Sequence, residues 1–303
     1  MAKILLVLAC FFLTTSAWAK TPAFEGGRAL GHIEALVEGG PRIMGSPGHA
    51  KARAYFKKHL QPFAGKWQEQ SWEHRAASGK KYQLYNLWFR IHPKRKTRIL
   101  IGSHYDTRAW ADKDPFTPKA AMPGANDGAS GVAVMLELAR LLERAPLKNI
   151  AVDFVFFDGE EGEPEQKAAW HPIGSYRLAK ELKKYYPQHN PKLALIPDLV
   201  CDKDLQLYQE NFSLKSAQWA VLELWSIGKE LHPGFIPRPK YSIYDDHSAL
   251  IAKGIPSVVL IDFDYPVFHT VKDLPDQCSV KSLYAVGEAI WRYLNRLDQR
   301  EKK

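Results

Sequence analysis

The chain has 303 residues, of which 46% are hydrophobic and 25% are charged, a composition typical of globular proteins. This composition excludes a disordered chain, a collagen and a protein with several membrane spans. The formal net charge of +9 raises the question of nucleic acid, but the basic residues are scattered and form no patterned face. The densest basic run, Lys94-Arg95-Lys96 with Arg98, is interpreted as a solvated turn. We therefore expect no nucleic-acid partner.

The first residues have the pattern of a secretory signal peptide. Lys3 precedes an apolar run over residues 4–13, and Ala17-Trp18-Ala19 forms a small-x-small cleavage site. The apolar run is too short to span a bilayer. We expect removal of residues 1–19 and export of residues 20–303, as a single zinc-dependent catalytic domain without a stable membrane span, to the periplasm or the exterior. A retained signal anchor is the alternative.

Cleavage would leave two cysteines in the chain, Cys201 and Cys278. An exported location permits a disulfide between them but does not require one. Two cysteines are too few for a disulfide scaffold.

Strand-like and helix-like segments alternate along the rest of the chain. Residues 82–91 and 97–102 are predicted to form a hairpin across the basic turn. Further strands are predicted at 149–157, 192–196, 204–208 and 256–261, and amphipathic helices at 128–143, 174–184, 216–231 and 279–296. This alternation predicts an α/β fold, a three-layer sandwich with a central mixed, largely parallel sheet flanked by helices.

Polar side chains follow several of the predicted strands, where active sites of such sheets lie. Five potential metal ligands stand in separate loops along this edge: His104, Asp127, Glu161, Asp198 and His269. Two imidazoles with three carboxylates suit Zn²⁺ better than metals that prefer thiolates. The pattern therefore predicts a zinc site.

Structural interpretations of the same residues remain open. Glu160-Glu161 also fits a solvated turn, although adjacent carboxylates at a turn point in different directions and can take different roles. Asp245-Asp246-His247 also fits a helix N-cap with acidic first-turn residues, an interpretation that suits Asp246 better than Asp245. A serine hydrolase is disfavoured because no Gly-x-Ser-x-Gly motif occurs, and neither cysteine sits in a nucleophile motif.

Taken in order, these motifs resemble the zinc aminopeptidase superfamily. The resemblance runs over residues 41–294 and rests on SHYDT at 103–107, GANDGASG at 124–131, FFDGEE at 156–161, Asp198 and FHT at 268–270, with GSPG at 45–48 upstream. One branch of that superfamily, the animal-type glutaminyl cyclases, binds one zinc and cyclises N-terminal glutamine. The sequence is similar to that branch in GSYRLA at 174–179 after a Trp-bearing insertion, in DDH at 245–247 and in TRAWADKD at 107–114.

The resemblance implies a role for each matching residue. It implies one zinc on Asp127, Glu161 and His269, with Glu160 as the proton-transferring acid and base. Asp198 and Asp245 would form a hydrogen-bonded acidic pair behind the site. The substrate pocket would be lined by Trp170, Phe268, Tyr265 and Trp110, with Phe268 where the cyclases usually carry Trp. The implied substrates are peptides or proteins with N-terminal glutamine.

The other branch gives the main alternative, an exported aminopeptidase with two zinc ions. His104 and Asp198 would then hold the second zinc, with Asp127 bridging, and Glu160 would act as general base. Counting ligands does not separate the two branches, because the sequence carries both sets. A binding module that keeps only the fold is a third interpretation, which the intact Glu160-Glu161 pair disfavours.

Overall fold

The computed structural model describes residues 22–165 and 169–302, so the predicted signal peptide lies outside the described residues. The helices in this part of the chain are α1 (Gly26–Glu38), α2 (Pro47–Leu60), α3 (Ser130–Arg144), α4 (Ile173–Lys180), α5 (Leu182–Tyr185), α6 (Asn211–Leu231), α7 (Asp246–Ile251) and α8 (Val280–Arg300). The strands are β1 (Gly65–Arg75), β2 (Lys81–Ile91), β3 (Arg98–His104), β4 (Ala151–Phe157), β5 (Leu193–Asp198), β6 (Leu207–Gln209), β7 (Phe235–Pro239) and β8 (Ser257–Ile261).

The central sheet has six strands in the order β1-β2-β4-β3-β5-β8. Strands β4, β3, β5 and β8 are parallel to one another, whereas β1 and β2 run antiparallel at one edge. The predicted mixed, largely parallel sheet flanked by helices is therefore confirmed. Strand β6, which the sequence placed correctly within a few residues, pairs with β7 in a separate two-stranded sheet.

The predicted hairpin between residues 82–91 and 97–102 is wrong. Strand β4 lies between β2 and β3, pairing Leu87 with Phe156 on one side and Ile101 with Phe154 on the other. The hairpin partner of β2 is β1, a mostly polar edge strand that the apolar pattern did not reveal. A tight turn in which the Ala76 N–H donates to the Lys80 carbonyl joins these two strands.

The basic turn after β2 is only partly solvated, so the interpretation of a simple solvated turn is wrong for its arginines. Arg98 is buried, and its Nε donates to Asp153 Oδ2 at 2.9 Å. Arg95 Nη1 donates to the carbonyls of Leu147 and Ile150 at 2.6 and 2.7 Å. The lysines at 94 and 96 remain exposed.

Alternating side chains of the central strands fill two separate hydrophobic layers. In β3, Ile99 and Ile101 pack into the layer on the side of α1, α3, α6 and α8, whereas Leu100 packs into the opposite one. Because hydrophobic layers cover both faces of the strand, the strand is apolar throughout. No helix in the described residues is long and apolar enough to cross a membrane.

Cys201 and Cys278 form a disulfide, which settles the question that the sequence left open. The bond joins the loop after β5 to the residue pair preceding α8, across 77 positions of the chain. The Cys201 N–H also donates to Asn126 Oδ1 at 2.9 Å. The disulfide therefore lies directly behind the loop that carries Asp127.

Candidate zinc centre and active site

The parallel strands place the candidate ligands at one edge of the sheet. His104 is the last residue of β3 and Asp198 the last residue of β5. The loops after β4 and β8 supply Glu161 and His269, and the loop before α3 supplies Asp127. The structure thus brings together all five potential ligands that strand ends predicted, in two groups that share Asp127.

The first group consists of Asp127, Glu161 and His269, all buried. His269 Nε2 lies 3.5 Å from Asp127 Oδ2 and 3.6 Å from Glu161 Oε2. A tetrahedral zinc with ordinary bond lengths separates its ligand atoms by about 3.4 Å. Within the described chain Asp127 Oδ2 has no hydrogen-bond partner. Because a buried unpaired carboxylate oxygen is costly, this donor set fits a cation.

The second group consists of His104, Asp127 and Asp198. Its members already contact one another, since His104 Nε2 lies 3.2 Å from Asp198 Oδ1 and 3.3 Å from Asp127 Oδ1. Although burial lowers the pKa of His104, the three carboxylates around it, led by Asp198, outweigh burial and raise that pKa well above its usual value. The His104 imidazole therefore gives these carboxylates a positively charged partner.

A cavity of about 390 Å³ opens beside the two groups. Its polar wall carries Glu160, Asp198 and Asp245, and its aromatic wall includes the predicted residues Trp170 and Phe268. The Phe268 ring lies 3.7 Å from the His269 ring, centroid to centroid. Sequence reasoning missed the other aromatic and aliphatic lining residues: Leu199, Tyr241, Ile243, Tyr244, Ile261 and Phe263.

Two predicted pocket residues lie elsewhere. Trp110 is partly exposed and is not among the lining residues of the cavity. Tyr265 is buried, and its hydroxyl donates to Asp273 Oδ1 at 2.8 Å. Asp273 in turn accepts the backbone N–H groups of Asn126 and Asp127 at 2.8 and 3.1 Å. Tyr265 therefore supports the loop of a candidate ligand rather than the pocket wall.

The Glu160-Glu161 turn is held by a carboxylate that the sequence did not single out. The backbone N–H groups of Glu160 and Glu161 donate to the two oxygens of Asp106, each at 3.1 Å. Gly159, with a φ of +73°, takes the left-handed conformation that reverses the chain before the pair. Both glutamates are buried, so the interpretation of a solvated turn is wrong.

Arg108 and Asp112 form a link between two candidate ligands. Arg108 Nε and Nη2 each donate to Asp112 at 2.9 Å, and its Nη1 lies 3.3 Å from Glu161 Oε2. Asp112 Oδ1 lies 3.1 Å from His269 Nδ1. A carboxylate on the outer nitrogen of a metal-binding histidine fixes its ring and tautomer. No periodic pattern marks these loop residues, so the sequence did not predict them.

Asp198 and Asp245 lie in the same cavity lining, where burial, together with the charge of Asp245, raises the pKa of Asp198, and the predicted hydrogen bond between them stays a prediction. Asp198 contacts His104, and Asp245 is the N-cap of α7, where its side chain and Ser248 form a capping box. The helix-cap interpretation thus applies to Asp245, whereas Asp246 is a buried first-turn residue.

Burial and mutual repulsion give these carboxyl groups a high affinity for protons. Burial raises the pKa of Glu160 well above its usual value, and Glu161 and Asp245 add to this against an opposing effect of His104. Burial is also the main cause that raises the pKa of Asp198 to about 6. By contrast, burial lowers the pKa of His269 to about 4, so its ring is neutral, as a metal ligand must be.

Two non-glycine residues at the cavity adopt left-handed backbone conformations. His269 has a φ of +59° and Leu199 a φ of +49°. Such conformations are uncommon for residues with a side chain and concentrate at functional sites, where surrounding structure holds them. Leu199 turns the chain directly after β5, and His269 does so in the loop that follows β8.

The family model for peptidase family M28 matches residues 86–294. The chain belongs to peptidase family M28. The resemblance drawn from the motifs is thereby confirmed, and the most similar proteins within it include glutaminyl cyclases. A glutaminyl-peptide cyclotransferase from Boiga irregularis is 26% identical over 270 residues, which cover 77% of this chain and 71% of that protein.

Two solved structures of M28 relatives superpose closely on this chain. Glutaminyl cyclase from Fimbriiglobus ruber is 31% identical, with a TM-score of 0.84 over 91% of this chain and 96% of that one. A Zn-dependent exopeptidase from Parabacteroides distasonis is 28% identical, with a TM-score of 0.83 over 89% of this chain and 97% of that one.

Proposed function

We propose that this M28 protein is a glutaminyl-peptide cyclotransferase, which converts N-terminal glutamine of peptides or proteins to pyroglutamate with release of ammonia. The observation that carries the proposal is the pairing of a three-ligand group, Asp127, Glu161 and His269, with a buried, proton-binding Glu160 in one cavity. Similarity to the Fimbriiglobus ruber glutaminyl cyclase supports the same activity.

One zinc ion per chain would be held by Asp127, Glu161 and His269. The count of one follows from the resemblance to the glutaminyl cyclases, and His104 and Asp198 would then remain in contact beside that ion. When bound, zinc with three protein ligands supplies a Lewis acid that polarises a carbonyl group. Arg108 and Asp112 hold Glu161 and His269 in place from behind.

Glu160 would move the protons of the reaction. Cyclisation joins the substrate's α-amine nitrogen to its own side-chain amide carbon and breaks the bond from that carbon to the amide nitrogen. The amine loses one proton and the departing ammonia gains one. The Glu160 carboxylate would accept the proton from the amine, and the resulting acid would donate a proton to the departing ammonia. Because the pKa of Glu160 is raised, its two forms are closer in energy near neutral pH.

The remaining walls would orient the glutamine and limit water. Trp170 and Phe268 border the cavity with apolar rings, so the reacting amide lies among few water molecules. Asp245 and Asp198 line the wall beside Glu160, and Asp245 helps to keep its proton affinity high. The acidic wall also suits the positively charged N-terminus of an arriving peptide.

An M28 aminopeptidase is the second candidate function. The observation that favours it is the second group, His104 and Asp198, which shares Asp127 with the first as a two-metal site would. Similarity to the Zn-dependent exopeptidase of Parabacteroides distasonis points the same way. Similarity to glutaminyl cyclases among both the curated relatives and the solved structures makes the aminopeptidase the weaker candidate.

Product analysis separates the two functions. A peptide that starts with glutamine is incubated with the zinc-loaded protein and analysed by mass spectrometry. A cyclase releases ammonia and leaves the chain intact, whereas an aminopeptidase releases free glutamine and a shortened peptide. Zinc content gives a second criterion, about one ion per chain for the cyclase and two for the aminopeptidase.

We infer that the protein is exported after removal of residues 1–19, to the periplasm or the exterior. The signal-peptide pattern supports this, and so does the disulfide between Cys201 and Cys278, because stable disulfides are rare in the cytosol. Mass spectrometry of the protein isolated from its native source tests the inference. A chain that begins at Lys20 is expected, and a chain that retains residues 1–19 would contradict it.

A further inference from the structure

A second cavity, of about 240 Å³, opens at the opposite end of β3 from the zinc centre. Its cationic lining consists of Arg90, Lys94, Arg95, Lys96 and Arg98, and we call it the basic cavity. Within the described part of the chain no aspartate or glutamate lines it. At roughly 3.3 Å per strand residue, about 20 Å separates its edge at Arg98 from the zinc centre at His104.

Most of the positive charge in the basic cavity is not neutralised. The exception is Arg98, which pairs with the buried carboxylate of Asp153 beneath the turn. In the described residues no carboxylate lies within ion-pair distance of Arg90, Lys94, Arg95 or Lys96. Four cationic groups therefore line one small cavity without an ion pair of their own, and the carboxylate opposite Arg90 in the β2–β4 register, Asp153, is paired with Arg98.

The arginines of the basic cavity are held in fixed positions by backbone carbonyls. Arg95 Nη1 donates to Leu147 O and Ile150 O, and Arg98 Nη1 donates to Pro93 O at 3.0 Å and Arg95 O at 3.2 Å. These bonds order the turn before any ligand arrives. A preorganised site loses less conformational entropy on binding than a group of free surface lysines would.

Arg90 is also held in place, and it carries one buried donor without a partner among the described residues. Its Nη2 donates to Tyr185 O at 3.2 Å, and its guanidinium lies 4.9 Å from the centre of the Tyr186 ring. Its Nε is buried and has no hydrogen-bond partner among the described residues. A buried donor without an acceptor is unfavourable, and such groups are uncommon in folded proteins.

We propose that the basic cavity binds a phosphate group. Guanidinium groups match phosphate oxygens in paired hydrogen bonds, and four unneutralised cations suit a group with more than one negative charge. The cavity is smaller than pockets that enclose drug-sized ligands, which suits a single phosphate with a small substituent. A phosphate on a lipid headgroup and a free phosphate compound share this chemistry. Binding at this end leaves the zinc centre open to substrate.

Two probes and a matched pair of double variants test the proposal on the purified, zinc-loaded protein. The probes are inorganic pyrophosphate, titrated calorimetrically, and phosphatidylcholine vesicles with or without phosphatidic acid, a phosphomonoester lipid, in a sedimentation assay. The cavity variant carries Lys94→Gln and Lys96→Gln, both at exposed positions. The control carries Lys229→Gln and Lys253→Gln, which are exposed elsewhere and give the same change in net charge.

The cavity variant is expected to bind the probe roughly 20-fold more weakly, since each lysine beside an anionic phosphate contributes roughly fivefold. The control is expected to stay within about twofold of the parent protein. Binding of pyrophosphate alone identifies a free phosphate compound as the ligand, and binding of the anionic vesicles alone identifies a headgroup. The proposal is overturned if the parent protein binds neither probe, or if both variants lose the same affinity. Turnover of a short Gln peptide should be equal in all three proteins, so failure here is separable from failure of the cyclase assignment.

Discussion

Asp112 and Arg108 show how single side chains outside the ligand set define the zinc centre. Arg108 donates hydrogen bonds to Asp112 and to Glu161, while Asp112 contacts the outer nitrogen of His269. Although partial burial raises the pKa of Asp112, the hydrogen bond and charge of Arg108, with the charge of His269, together outweigh burial and lower that pKa. Asp112 thus remains an anion that can hold the His269 ring.

Replacing Asp112 by Asn should therefore weaken zinc binding. The loss of a carboxylate partner behind a ligating histidine typically lowers metal affinity by about 10–100-fold. Competition of the protein with a chelator for zinc measures the effect. Asp276→Asn, an exposed carboxylate in the turn before α8, is the matched control and should leave zinc affinity unchanged. Equal zinc affinity in Asp112→Asn and the parent protein would contradict this role.

Trp170 gives a prediction about substrate rather than metal. Its side chain lines the cavity and is 42% exposed, well above the exposure of a core residue. Trp170→Ala should lower kcat/KM for Gln peptides by about 10-fold or more, because the substrate loses an aromatic contact. Thermal stability should stay nearly unchanged. Trp219→Ala removes a tryptophan of α6 whose exposed fraction, 44%, is similar. This control should change neither kcat/KM nor thermal stability. A large loss of stability with normal kinetics would show that Trp170 is structural.

The residue types of the site were predictable from strand ends, but their supports were not. His104 and Asp198 end parallel strands, and the edge rule places such residues together. Asp106, Asp112 and Asp273 act through contacts between distant loops, which no local pattern encodes. Tyr265 was misassigned for the same reason, since its partner Asp273 becomes visible only in the fold.

At the scale of elements, apolar patterns located the central strands but not their pairing. Strands β2 and β3 are both apolar and adjacent in sequence, which suggested a hairpin, yet β4 separates them. A pairing across distant positions leaves no signal in either strand alone. Strand β1 was missed for a different reason, because it is mostly polar and exposed at the sheet edge. The predicted helix at 174–184 is two helices, α4 and α5, in the structure.

The contact between α1 and α2 contains a histidine that should make stability depend on pH. His32 Nδ1 lies 2.7 Å from the Tyr55 hydroxyl, and burial, with the nearby charge of His59, lowers the pKa of His32 from 6.5 to about 4. Above pH 6.5 the ring is neutral in both the folded and unfolded states. As the pH falls from 6.5 towards 4, only the unfolded chain gains a proton, so folding stability falls.

Replacing His32 by Gln should remove this part of the acid sensitivity. Between pH 7 and pH 4.5, the free energy of unfolding of the parent protein should fall by about 2–3 kcal/mol more than that of His32→Gln. Chemical denaturation of both proteins at the two pH values measures the difference, and effects of the acidic active site cancel in the comparison. A parallel loss of stability in both proteins would contradict the assignment.

At the scale of the whole molecule, the two ends of the parallel sheet carry opposite charge. The buried carboxylates gather where β3, β5 and β8 end, and the basic cavity lies where β3 begins. The overall charge of +9 concealed this separation, because composition averages over the surface. The acidic end favours the approach of a cationic peptide N-terminus, whereas the basic end repels it.

The disulfide cross-links two segments of the chain at the acidic end of the molecule. Cys201 follows β5 and Cys278 precedes α8, and the bond closes a loop of 77 positions. Replacing both cysteines by Ala should lower the free energy of unfolding by about 4 kcal/mol, because the unfolded chain regains the entropy of that loop. Guanidinium denaturation measures the change. A reducing agent should destabilise the parent protein but not the double variant, and equal stability of the two would contradict a closed disulfide.

The central claim is that two adjacent glutamates divide the work, with Glu161 holding zinc and Glu160 moving protons. It is tested most directly by measuring bound zinc and kcat for pyroglutamate formation in the same samples of Glu160→Gln and Glu161→Gln. Glu160→Gln should retain zinc and lose rate by about 10²–10⁴-fold, the usual contribution of general acid–base catalysis. Glu161→Gln should lose zinc affinity and, with it, activity. Loss of zinc from Glu160→Gln with retention in Glu161→Gln would reverse the assignment, and full activity in both would place the active site elsewhere.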